Sequence, residues 1–167
     1  ARLGDLDILV CSAGSTGGGP LQSCTEVAFD ALMALNVKSV FFTAQKALPL
    51  LRNPSSIVVI GSVADTITLP GGGVYSASKA ALVAFARTWA SDLAPLGIRV
   101  NVLSPGYVDT PLLGSKQSLH EVWKAATPLR RFAEPHEVAA AAAWLLSDEA
   151  GFCCGTELLM DGGYSLA

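Results

Sequence analysis

Residues 57–62, Ile-Val-Val-Ile-Gly-Ser, constrain this chain more than any other stretch. A continuous β-branched run has no polar face to offer to water, so it reads as a strand buried on both sides, as in parallel sheets. The run ends in Gly61-Ser62, and open α/β sheets bind their ligands at the carboxyl ends of the strands. A glycine-rich bend follows, and then Tyr75-Ser76-Ala77-Ser78-Lys79 leads into a helix-favouring segment. Tyr75 and Lys79 are four residues apart, so a helix sets both on one face. An ammonium beside a phenol favours the phenolate by lowering an ordinary pKa of about 10. The pair therefore predicts a tyrosine usable as acid or base near neutral pH. Ser62 precedes Tyr75 by 75 − 62 = 13 residues, a loop long enough to bring both hydroxyls to one reacting oxygen.

The rest of the chain repeats one alternation. Apolar strand candidates at 6–11, 57–62, 98–103 and 157–160 are separated by segments of helical spacing, which argues for a parallel sheet. The first helical pattern covers 27–35 and continues past Asn36 over 37–51. The asparagine is expected to disturb it locally, because its side chain competes for nearby backbone groups. Further helices are expected over 75–94 and 137–146, and residues 112–127 are mixed, with Trp123 among polar neighbours. Ser12-Ala13-Gly14 and Gly17-Gly18-Gly19 follow the first strand. Neither G-x-G-x-x-G nor G-x-x-x-x-G-K-[ST] can be written through them, so they carry no phosphate-binding fingerprint.

Taken together, Ser62, Tyr75 and Lys79, the run Pro105-Gly106-Tyr107-Val108-Asp109-Thr110-Pro111 and the late Asp161-Gly162-Gly163 resemble the classical short-chain dehydrogenase/reductase family. The resemblance extends from about Leu6 to Tyr164 and implies a Rossmann-like, doubly wound α/β fold. It also implies NAD or NADP as cofactor, and a small-molecule carbonyl or secondary alcohol as substrate. Ser62, Tyr75 and Lys79 match three members of the family's catalytic tetrad. Asn36, in Leu35-Asn36-Val37, matches the fourth, whose implied role is to hold a water in a proton relay to the lysine. Ala13 and Gly14 keep the last two places of the family's Asn-Asn-Ala-Gly, while Cys11 and Ser12 replace both asparagines. Pro105 and Gly106 match the turn that lets the nicotinamide approach, and Val108 and Thr110 match positions that bind its carboxamide. The C-terminal half is similar to 3-oxoacyl-(acyl carrier protein) reductases and to bacterial alcohol and sugar-alcohol dehydrogenases.

The same resemblance leads one to expect about three strand-and-helix units, including the pyrophosphate-binding turn, ahead of Leu6. Residues 1–167 are therefore expected to form one partial domain, an N-terminally truncated form that by itself binds NAD(P) very weakly and shows no measurable dehydrogenase activity, and whose first strand becomes an apolar edge. The residue that would discriminate NAD from NADP belongs to the expected front end. The alternative is a catalytically inactive derivative serving as an oligomerisation or binding module. A serine hydrolase is disfavoured, since no Gly-x-Ser-x-Gly occurs.

Hydrophobic residues make up 51% of the 167 and charged residues 15%, an apolar balance that leaves surface for a second subunit. A homo-oligomer, dimer or tetramer, is expected through helices 37–51 and 75–94, on Phe41, Phe42, Phe85 and Trp89. The net charge is −3 without a basic block, which predicts neither nucleic-acid nor anionic-membrane partners. No apolar run approaches the ~20 residues of a membrane span, so a cytoplasmic location is expected. Cys11, Cys24, Cys153 and Cys154 lack Cys-x-x-Cys spacing, and His120 and His136 complete no zinc pattern. Reduced cysteines and no metal are expected.

Overall fold

The strands lie parallel because a helix carries the chain back across the sheet between each pair. The computed structural model describes residues 4–114 and 117–166. In chain order these form β1 (Leu6–Cys11), α1 (Glu26–Met33), a π-helical turn (Ala34–Lys38), α2 (Ser39–Ala47), β2 (Leu51–Ile60), α3 (Gly73–Leu93), β3 (Ile98–Pro105), α4 (Gln117–Ala126), α5 (Pro135–Leu146) and β4 (Glu157–Met160). The sheet runs β1-β2-β3-β4 with every pair parallel.

Alternation along β2 divides the core between two layers of helices. Ile57 and Val59 turn toward α2 and α3, where they pack with Val40, Leu82, Val83, Ala86, Val100 and Val102. Val58 faces the other way and meets Leu103 and Leu145, backed by Val138, Ala141 and Leu158. All three β2 residues have 0% exposure, as expected of a strand covered on both faces. The doubly wound α/β reading therefore holds.

Several boundaries differ from expectation. The helix predicted over 37–51 gives way to a 3-10 turn at Leu48–Leu50, and β2 starts at Leu51. Pro49 donates no backbone hydrogen bond and cannot continue the helix. β3 runs on to Pro105 and α3 begins at Gly73. The mixed segment contains α4, although Ser115 and Lys116 lie outside the described residues. The span expectation is also corrected: the helical stretch Glu26–Leu50 is 25 residues long and contains an 18-residue window of mean hydropathy 1.4, apolar and long enough by composition to cross a bilayer. Its apolar residues are separated by Asn36, Lys38 and Gln45, which is why no uninterrupted run shows it. Here Val40 and Ala44 of that stretch are buried in the protein core.

β1 is an edge of this sheet, with Ile8 51% and Val10 44% exposed. The cysteines are free thiols, and burial pushes the Cys11 thiol up to about 11. Among the described residues no three His, Cys, Asp or Glu side chains gather as metal ligands would.

Candidate active site

Where β2 stops, Ser62 continues in extended conformation and caps the 3-10 turn Val63–Asp65. Its Oγ accepts the Ala64 amide hydrogen at 3.2 Å. With that oxygen oriented by the backbone, the hydroxyl proton is available to another oxygen. The glycine bend then returns the chain to the same strand end, so α3 begins beside Ser62.

Tyr75 is the third residue of α3 and Lys79 lies one turn further on. Lys79 is buried, its Nζ donates to the Ile60 carbonyl at 3.0 Å, and it lies 5.8 Å from the Tyr75 ring centroid. Burial pulls the ammonium down to about 8, with the Asp65 charge opposing. The expected lowering of Tyr75 is not found. Burial raises the phenol, Asp65 adds to the rise, and the nearby Ser62 hydroxyl only partly offsets them. Spacing placed the ammonium near the ring correctly, but it could not weigh desolvation or reveal the carboxylate behind the serine.

Asn36 occupies the π-helical turn with 0% exposure. Single π turns interrupt α-helices where a side chain is needed in an otherwise unavailable direction, often at functional sites. Here the asparagine clamps the loop after β1. Its Oδ1 accepts from the Ser15 amide at 2.9 Å, and its Nδ2 donates to the Ser15 carbonyl at 2.9 Å and to Ser78 Oγ at 3.0 Å. Ser78 in turn donates to the Tyr75 carbonyl at 2.6 Å. Ser15 and Ser78 were not singled out from the sequence. Only the three-residue spacing of Ser78 from Tyr75 hints at the second contact.

Gly14 lies at the lip of this group. A Cβ there would come within 3.4 Å of Asn36 Oδ1 and 3.5 Å of Lys79 Nζ, filling the approach to the ammonium. Ala13 beside it is exposed. Gly106 follows β3 against the Asp161 backbone, where a Cβ would sit 2.8 Å from Asp161 Cα, so only glycine fits. Pro105 pairs with Met160 in the sheet. Val108 bridges to Ala133, and the Thr110 hydroxyl donates to the Val108 carbonyl at 3.4 Å. None of the hydrogen bonds among the described residues ties Val108 or Thr110 to the Ser62, Tyr75 and Lys79 group. Beyond β3, Tyr107 stacks on Trp123 at 4.8 Å and meets Tyr164 edge-on at 5.1 Å. This aromatic cluster was also missed, because its members come from three separate segments.

A sequence profile of the family described as enoyl-(acyl carrier protein) reductase matches residues 1–165. The oxidoreductase asL5 of Sarocladium schorii is 39% identical over 98% of this chain and 67% of its own length. The 3-oxoacyl-(acyl carrier protein) reductase FabG of Thermotoga maritima is 36% identical over 97% of this chain and 67% of its own. Among solved structures, the angucycline C-6 ketoreductase LanV with bound NADP superimposes with a TM-score of 0.91 at 31% identity, covering 98% of this chain and 64% of that one. The chain thus spans about two thirds of the length of these relatives. The matched profile, the relatives and the shared fold establish that this chain belongs to the short-chain dehydrogenase/reductase family of oxidoreductases.

Proposed function

We propose that this chain carries the reacting part of an NAD(P)-dependent oxidoreductase that interconverts a carbonyl and a secondary alcohol. The observation that carries the reading is the convergence of Ser62, Tyr75, Lys79 and Asn36, from the turn after β2, α3 and the π-helical turn, at one end of the sheet. The residues present fit a nicotinamide cofactor. The Ile60 carbonyl takes one of the three Lys79 N–H groups, leaving donors for ribose hydroxyls, and Gly14 keeps the approach open. Tyr75, Lys79, Ala13 and Gly14 would hold the ribose side, and Pro105, Gly106, Val108 and Thr110 the nicotinamide end. When bound, the cofactor supplies or accepts the hydride.

In reduction, the Tyr75 hydroxyl gives its proton to the carbonyl oxygen as charge develops there, and Ser62 donates a hydrogen bond to the same oxygen. A raised phenol suits this direction, since it is protonated at neutral pH. Lys79 then stabilises the phenolate left behind. In oxidation, Tyr75 takes the proton back as base. With both amide hydrogens already engaged, Asn36 acts by fixing the β1 loop and the start of α3 rather than by passing a proton through its side chain.

The aromatic face of α2 and α3 supports self-association. Phe41, Phe85 and Trp89 pack with ring centroids 5.4 to 5.8 Å apart, and Phe42 beside them is 43% exposed. The test of function is equilibrium binding of NADH and NADPH together with turnover of a panel of ketones and 3-oxoacyl thioesters. Cofactor binding and turnover of at least one panel member are expected of a form that carries the pyrophosphate-binding units the resemblance implies, and very weak binding without turnover of residues 1–167 by themselves. A folded form with those units that binds neither dinucleotide would contradict the reading and favour a non-catalytic binding module.

A further inference from the structure

Ser62 leaves the end of β2 from a peptide held on both sides. The Ile60 carbonyl accepts from Lys79 Nζ of α3 at 3.0 Å, and the Gly61 amide donates to the Leu103 carbonyl of β3 at 2.8 Å. Against that peptide lies Ser104 of β3, with 0% exposure. A Cβ at Gly61 would fall on the Ser104 hydroxyl and come within 2.8 Å of Val102 Cγ1, so the hydroxyl occupies the space a side chain would need. The last strand orients that hydroxyl in turn, since Ser104 Oγ donates to Glu157 Oε1 at 2.9 Å. Glu157 opens β4 with a side chain only 15% exposed, and its Oε2 lies 3.6 Å from the Arg87 guanidinium of α3. A carboxylate withdrawn this far from water calls for a reason, because one hydroxyl and one mostly exposed guanidinium offset its desolvation only in part.

We infer that Ser104 and Glu157 are positioning residues: the Ser104 hydroxyl, held by Glu157, seats Gly61 and through it sets where the Ser62 hydroxyl stands relative to Tyr75. The inference rests on the reading of Ser62 and Tyr75 as the two hydroxyls that meet one substrate oxygen. On its forward side Ser62 Oγ accepts the Ala64 amide hydrogen, which orients the side chain within its own turn but does not place the turn. Gly61, one residue behind, does place it. A serine side chain has three staggered rotamers, and a buried hydroxyl is satisfied only in one that reaches a partner. Glu157 therefore makes Ser104 present a constant shape to Gly61. Arg87 lies 87 − 75 = 12 residues after Tyr75 on the same helix, so the carboxylate also ties the seat of Ser62 to the element that carries Tyr75.

Ser104→Ala removes the hydroxyl, Glu157→Ala removes what orients it, and Glu157→Gln keeps an acceptor for it. In the form that carries the pyrophosphate-binding units, the two alanine variants should lower kcat by roughly 10- to 100-fold with dinucleotide affinity unchanged, and Glu157→Gln should restore most of the loss. A glutamine variant as impaired as Glu157→Ala would overturn the role given to the Ser104 bond. Added to Ser62→Ala, neither alanine substitution should lower kcat further, because both act through the hydroxyl already removed. A further fall of the same size would mark a general loss of packing and overturn the inference. Amide NMR of the same protein reads the seat without turnover: the Gly61, Ser62 and Ala64 resonances should shift in both alanine variants and stay near their original positions in Glu157→Gln. Resonances unmoved in both alanine variants would likewise overturn it. An impaired Ser62→Ala beside an unimpaired Ser104→Ala would sink the inference alone, whereas full turnover by Ser62→Ala would overturn the reading of Ser62 and the inference with it.

Discussion

Lys79 meets two opposing demands at one atom. In the proposed reaction its charge is wanted beside Tyr75, yet burial disfavours that charge and brings the ammonium down to about 8. A base whose folded pKa is depressed penalises folding wherever it must stay protonated. The penalty is full below pH ~8 and vanishes above the ordinary lysine value of about 10.5. Relative to Lys79→Met, the unsubstituted protein should therefore gain stability as pH rises across that window, by up to about 3 kcal/mol. Denaturant unfolding at a series of pH values measures this, and a constant difference between the two proteins would contradict it. The same substitution should slow turnover and weaken dinucleotide binding in calorimetry, since Lys79 has both roles in the proposal; undiminished dinucleotide affinity would remove the ribose contact. Asn36→Ala strips partners from the Ser15 backbone and from Ser78. A loss of about 1–3 kcal/mol for each buried group left unpaired is expected in urea melts.

Among the elements, Gly106 shows how tightly the strand ends are packed. A Cβ there would meet Asp161 backbone rather than a side chain that could turn away, so Gly106→Ala should cost about 1–3 kcal/mol. Unfolding at the unsubstituted midpoint would show that the β3 end and the Asp161 turn can separate freely. The four strands were legible because their apolar runs are short, β-branched and bounded by Gly, Ser or Pro. The first half of β2 was not, since Arg52, Asn53, Ser55 and Ser56 look like a loop until β1 and β3 pair along them. Ser62, Tyr75 and Lys79 were legible from the strand end, the spacing and the resemblance taken together, and Asn36 from the resemblance and the polarity of its position. Its π turn was not, because an i→i+5 bond leaves no separate composition signal.

Across the whole molecule, the sheet's two faces are covered while an aromatic helix face and the β1 edge are not. The face built by Phe41, Phe42, Phe85 and Trp89 should draw two copies together, since exposed apolar patches of a few hundred Å² commonly mark such contacts. Light scattering should report an oligomer at micromolar concentration, and Phe42→Asp should shift it toward monomer; a monomeric unsubstituted protein would refute the interface. The sheet brings Ser62, Tyr75, Lys79 and Asn36 to one end, and the central claim is that Tyr75 moves the proton there. Tyr75→Phe deletes one hydroxyl and leaves the ring, so in preparations that turn over a carbonyl substrate it should lower kcat by about 10²–10⁴-fold with dinucleotide affinity little changed. A kcat for Tyr75→Phe close to that of the unsubstituted enzyme would contradict the account.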